Sequence, residues 1–330
     1  MHMKKKLLAL SLAGAMSLSL AACGNGGQTT PPAGNGDAAH YTIGICQLVQ
    51  HDALDAATQG FKDAVVEALG EENVTFDEKN ASGDSPTCST ICGQFVTEGV
   101  DLILANATAA LQAAVAATGT IPILGTSVTE YGVALGIDGF TGTVGGNVSG
   151  TSDLAPLAEQ AAMVKELFPD EKNVGLLYCS AEANSQYQVD TVKAELEALG
   201  YTCELYSFVD SNDVTSVTKA ACDASDVLYI PTDNTAASNT EAINNVAQPA
   251  GVPIVCGEEG ICAGCGVATL SISYYDLGVA TGKMAAKILT GESSVSQMPV
   301  EYAPQFTKKY NPDLANALGV TIPGDYTAIG

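Results

Sequence analysis

Three features of the sequence predict an α/β fold of two doubly wound, Rossmann-like lobes. Short apolar runs alternate with amphipathic stretches of helical length, the pattern of βαβ units around a parallel sheet. The alternation completes one course and then restarts. The tetrapeptide Glu-Ala-Leu-Gly closes the first helix of both courses, ending at Gly70 and again at Gly200.

The first course opens with a buried strand at 41–49. Leu54, Ala57, Phe61, Val65 and Leu69 follow at helical spacing until Gly70 stops the helix. A second strand at 74–76, a second helix through 91–96, a third strand at 101–105, an alanine-rich helix over 109–117 and a fourth strand at 121–124 complete it. The second course has a strand at 173–178, a helix through Val189, Val192, Leu196 and Leu199, and a strand at 203–208. A helix near 214–222, a strand at 227–230, a helix over 235–247 and a strand at 252–255 follow. Ile121-Pro122-Ile123 and Val252-Pro253-Ile254 hold matching places, so an internal duplication of a Rossmann-like lobe is expected, with a cleft between the copies. The Gly- and Thr-rich stretch at 136–150 reads as the crossover between lobes. Beyond the second course come a strand at 267–271 and a helix over 277–289.

Ahead of the lobes, Lys4-Lys5-Lys6 and an apolar run over 7–22 read as an export signal, too short and too rich in Ser and Gly for a membrane span. Leu20-Ala21-Ala22-Cys23 resembles a bacterial lipobox, which makes Cys23 the expected site of lipidation. Residues 23–40 carry almost no large apolar side chain and read as a flexible linker. The chain has 13 basic residues, all lysine, against 37 acidic ones, for a net charge of −24. Nucleic-acid partners and anionic surfaces are thereby disfavoured, since neutralising phosphates needs clustered cations.

Catalysis finds little support. No G-x-S-x-G elbow, G-x-G-x-x-G turn or phosphate-binding G-x-x-x-x-G-K-[ST] loop occurs, and His51 is the one histidine beyond the linker. No catalytic residue, cofactor or metal is called for. The nine cysteines after Cys23 include Cys262-Ala263-Gly264-Cys265, a CxxC expected in a Gly-rich loop, and read as structural thiols or local disulfides.

Ligands of parallel sheets sit where the strands end. Those tips hold hydroxyls at Thr108, Thr126, Ser127 and Thr129, amides at Gln47, Asn184 and Asn234, and acids at Asp153, Glu182, Asp233 and Glu258, with His51 and Ser185 beside them. Hydroxyls and helix N-termini suit a carboxylate and the acids suit an ammonium, so the set fits a zwitterion. Thr108, Asp153, Asp233 and Asn234 equally suit helix caps, and His51 a satisfied loop histidine.

The ordered set Cys46-Gln47-Leu48-Val49-Gln50-His51-Asp52, Ala107-Thr108-Ala109-Ala110-Leu111-Gln112, Gly145-Gly146-Asn147, Glu182-Ala183-Asn184-Ser185, Pro231-Thr232-Asp233-Asn234 and Gly257-Glu258-Glu259-Gly260 resembles ABC-transporter substrate-binding lipoproteins of the tryptophan/tyrosine type. Tyr274-Tyr275-Asp276-Leu277-Gly278 continues the likeness. Cys46, Gln50 and Asp52 stand where that family usually has Ser, Glu and Pro. The resemblance implies a type I periplasmic-binding fold with a three-segment hinge, ligand-driven closure, and delivery of a small amino acid, aromatic in characterised members, to a permease with a cytoplasmic ATPase. It implies a first lobe of 41–147 with 277–296 and a second of 148–276 with 297–330. Ligand contacts are expected at Gln47, His51, Thr108, Thr129, Asp153, Asn184, Ser185, Asp233, Asn234 and Glu258. A lipid on Cys23 places the protein on the outer face of the cytoplasmic membrane. A branched-chain amino acid, a nucleoside or a sugar, and a sensor role for a receptor kinase, remain open readings of the same residues.

Overall fold

The computed structural model describes residues 39–330. The expected export signal, Cys23 and most of the expected linker lie outside them. The first lobe follows the alternation read from the sequence: β1 (Tyr41–Gln47), α1 (Asp52–Leu69), β2 (Val74–Asn80), α2 (Ser85–Glu98), β3 (Leu102–Asn106), α3 (Thr108–Ala117), β4 (Ile123–Val128), α4 (Tyr131–Leu135) and β5 (Val148–Ser152). The second comprises α5 (Leu157–Leu167), β6 (Asn173–Cys179), α6 (Ala183–Ala198), β7 (Thr202–Phe208), α7 (Val214–Ala224), β8 (Val227–Ile230), α8 (Asn234–Ala237), α9 (Thr240–Ala250), β9 (Ile254–Cys256), α10 (Glu259–Cys265) and β10 (Ala268–Ser271). The chain ends with α11 (Tyr274–Leu289), β11 (Glu301–Tyr302), β12 (Thr307–Tyr310), α12 (Pro312–Leu318) and β13 (Thr327–Ala328).

One sheet has the order β11-β5-β4-β3-β1-β2 and the other β13-β12-β10-β9-β8-β6-β7. All pairings are parallel except β10 with β12. Helices cover both faces, which is why β3, β4 and β8 are buried at every residue and read as continuous apolar or small-residue runs. Ile43, Ile45, Leu102 and Leu104 pack on Phe61 and Val65 of α1, while Cys46, Ile103 and Ala105 face α2 and α3. Each buried Ile, Leu, Val or Phe side chain among them contributes about 1.5–3 kcal/mol by leaving water.

Four local expectations change. Residues 148–152 and 301–302, expected in the second lobe, are β5 and β11 and hydrogen-bond within the first sheet. The glycine-rich stretch from 136 therefore loops from α4 to β5 inside the first lobe and does not cross between lobes. The chain passes between the sheets at 153–156, 272–273 and 303–306 instead. The single helix expected over 235–247 is broken into α8 and α9, because the Asn239 side chain bonds back to the Thr235 carbonyl and turns the chain. The CxxC lies on α10, whose first turn the Glu258 carboxylate caps.

Although it follows the second course, α11 packs lengthwise on α1, where glycines let the two backbones touch. A Cβ on Gly278 would sit 2.0 Å from the Ala57 carbonyl oxygen, and one on Gly282 would sit 2.5 Å from that of Phe61.

Candidate functional site

At the C-terminal ends of both sheets the strand tips enclose a chamber with about 280 Å³ of empty space. His51, Ala53 and Leu54 come from the turn into α1, and Ser127 and Thr129 from the end of β4. Asp153 comes from the first crossing segment and Tyr274 opens α11 just after the second. The second lobe supplies Asn184, Thr232, Asp233, Asn234, Ala237 and Glu258. Only about 10 Å³ of the chamber admits the centre of a water molecule, so a solute enters by parting the lobes. Outside it a wider cleft of about 1060 Å³, counting its open face, runs between Ser82–Ser85 with α3 on one side and the β6 and β7 tips on the other.

The acids divide by what they hold. Asp233 accepts from the Cys179 amide at 2.6 Å and caps α8 through the Ala236 amide at 2.8 Å. Glu258 takes the amides of Gly260 and Ile261 at 2.6 and 2.5 Å. Glu182, at the N-terminus of α6, leaves its own helix uncapped and accepts from the backbone and side chains of Asn234 and Thr235. Asp153 differs. Its Oδ2 accepts from the Tyr274 hydroxyl at 2.9 Å, while its Oδ1 is buried without a partner, as is Ser127 Oγ.

Sequence reading places Asp153 at a helix start. Pro156 delays that helix to Leu157, and the carboxylate turns into the chamber. Ser127 sits at φ 53, a left-handed backbone that few side chains adopt. Such strain clusters at ligand sites.

Burial raises the Asp153 and Asp233 carboxyls and pushes Glu258 up to about 7, against the pull of the amides that Asp233 and Glu258 accept. The nearby Glu182 adds to the rise of Asp233. Burial also lowers His51. Its Nε2 lies 3.3 Å from Asn234 Oδ1, a hydrogen bond that spans the two lobes. No lysine lines the chamber, so three buried carboxyl groups share it without a protein cation.

Of the ten expected contacts, His51, Thr129, Asp153, Asn184, Asp233, Asn234 and Glu258 line the chamber. Thr108 opens α3 on the outer cleft. Gln47 and Ser185 stand behind the walls. The Gln47 amide bonds Val49, Asp55 and Thr58, and Ser185 is fully buried beside Asn184 and Asp233. Beyond that set, Ser127, Thr232 and Tyr274 add polar groups to the lining, and Ala53, Leu54 and Ala237 add apolar ones. Ser127 follows a strand as the other tip residues do, but no sequence signal separates its orphaned hydroxyl from that of Thr126, which bonds Thr151.

A family model described as ABC transporter substrate binding protein matches residues 42–328. A tyrosine-binding protein of Clostridioides difficile strain R20291 is 34% identical over 320 residues, 95% of this chain and 92% of its own. The crystal structure of an ABC domain in complex with L-Trp from Streptococcus pneumonia is 32% identical, with a TM-score of 0.84 over 88% of this chain and 100% of that one. A ligand-free, open substrate-binding protein with adhesive properties from Clostridium difficile is 36% identical over 88% of this chain and 99% of its own, yet its TM-score is 0.67.

Proposed function

The chain belongs to the ABC transporter substrate-binding proteins, a family that binds solute rather than transforming it, and we propose that it captures an aromatic α-amino acid between its lobes for a permease driven by a cytoplasmic ATPase. The observation that carries this reading is the pair of buried, unpartnered oxygens lining one chamber, Asp153 Oδ1 and Ser127 Oγ. An unmade buried hydrogen bond costs about 1–3 kcal/mol, more for a charge, and a zwitterion supplies both partners. Its ammonium meets Asp153. Its carboxylate takes hydroxyls from Ser127 and Thr129, since a chain without arginine has no guanidinium to offer. His51, Asn184, Asp233, Asn234 and Glu258 form the facing wall, and Thr108 borders the approach.

The names of the tyrosine-binding relative and the L-Trp complex support the aromatic side chain. Ala53, Leu54, Ala237 and Tyr274 offer it apolar contact. Protein purified from rich medium and then denatured is expected to release an aromatic amino acid, read by mass spectrometry. Release of a sugar or nucleoside would overturn the assignment.

Export by the first 22 residues and lipidation at Cys23 complete the proposal, with residues 23–40 as a tether. Extracytoplasmic substrate-binding proteins of this family act outside the cytoplasmic membrane, and no helix among the described residues is long and apolar enough to cross one. Cys23→Ser is expected to move the protein from the membrane fraction to the soluble one. Unchanged partitioning would contradict the anchor.

A further inference from the structure

Three thiols, Cys256, Cys262 and Cys265, meet in the core of the second lobe directly behind the chamber wall, all at 3% exposure or less. Cys256 ends β9, and Cys262 and Cys265 lie on α10. Between them runs Gly257-Glu258, so the connection that carries a chamber carboxyl has a thiol at each end. The three pack in one cluster of the core, and burial, together with the neighbouring Cys262 and Cys265 thiols, raises the Cys256 thiol. Gly266 shows how close they come: a Cβ there would lie 2.2 Å from Cys256 Sγ and 3.0 Å from Cys262 Cα. The Cys256 sulfur therefore lies no farther from the Cys262 Cα than the sum of those two distances, which is within reach of a disulfide. The Cys265 sulfur already points elsewhere, toward the Ile261 carbonyl at 3.3 Å.

We infer that Cys256 and Cys262 are a dithiol that closes to a disulfide across the Glu258 connection on exchange with a small-molecule disulfide. One thiol loses its proton and attacks the reagent, forming a mixed disulfide and expelling one thiolate. The second cysteine then loses its proton and attacks the protein sulfur of that mixed bond, expelling the other. Two protein thiols are oxidised and one reagent disulfide is reduced to two thiols. The bond ties β9 to α10 and fastens the wall that Glu258 occupies. The reagent reaches these buried sulfurs when α10 opens locally. That helix is only seven residues long, and its Ala263 is exposed and borders an open cleft.

The reduced full chain would be incubated with excess oxidised glutathione, and in a parallel arm refolded from denaturant in the same buffer, then alkylated, digested and mapped. The result expected is a Cys256–Cys262 cross-link in both arms, with a higher melting midpoint than the reduced protein. The cross-link and the rise should be lost in Cys262→Ser and kept in Cys265→Ser. A Cys262–Cys265 link, a bond confined to Cys46, Cys88 and Cys92 of the first lobe, or nine free thiols after refolding would each overturn the inference.

Discussion

Asp153 concentrates the chemistry of the site in one atom. Its second oxygen is buried and unpaired, so Asp153→Asn removes the charge proposed to receive the ligand's ammonium while leaving an acceptor for the Tyr274 hydroxyl. Breaking one partner of a buried charge pair costs about 2–5 kcal/mol. Calorimetric titration of that variant is expected to show affinity lowered by about a hundredfold or more, and wild-type affinity would remove Asp153 from the site. Glu258 makes a second test possible through pH. Burial holds its carboxyl at about 7 in the folded protein, whereas the unfolded chain ionises near pH 4. The contribution to stability is whole below that lower value and is lost as pH rises through about 7. The melting midpoint of ligand-free protein should therefore fall as pH rises across that window, and less steeply in Glu258→Gln. Equal slopes would place the titration elsewhere. At this scale the sequence is legible in part. Residue types at strand tips point to a zwitterion, but Gln47 and Asp153 show the limit. The orientation of each side chain depends on Asp55, Thr58 and Tyr274, which the fold brings up from other segments.

Helix α11 shows how the elements assemble. Its order along the chain puts it after the second lobe, and nothing in its periodicity sends it back. The Gly278 and Gly282 contacts with the α1 backbone do so, and the partner surface forms only once α1 is folded. Gly278→Ala forces a methyl into the Ala57 carbonyl, and overpacking of this kind typically costs about 1–3 kcal/mol. A lower urea midpoint is expected, measured by circular dichroism, and an unchanged midpoint would show that the two helices slide apart freely. The same non-local logic explains β5 and β11. Their side chains alternate as those of any strand do, but which sheet accepts them is decided by pairing with β4 and with each other. By contrast, the strands buried on both faces and a helix such as α1, which ends at the expected Gly70 stop, are readable locally.

For the whole molecule, duplication and chain order are written in the repeats, and the relation between lobes is not. Three crossing segments join them, and the His51–Asn234 hydrogen bond closes over the chamber. The structure superposes better on the L-Trp complex than on the open, ligand-free relative, although the latter is nearer in sequence. In this arrangement walls from both lobes line one chamber. A ligand favours closure of the lobes only by binding the closed state more tightly, and the proposed zwitterion would do so by supplying the cation that three buried carboxyl groups lack. The direct measurement is calorimetry on protein freed of ligand by unfolding and refolding. It should be titrated with L-tyrosine and L-tryptophan, with tyramine and tryptamine, which lack the carboxylate, and with the matching arylpropionates, which lack the ammonium. Submicromolar binding of an intact amino acid, falling by about a hundredfold or more when either charged group is removed, is the predicted result. Equal binding of the truncated analogues, or tight binding of a sugar or nucleoside alone, would contradict capture of a zwitterion.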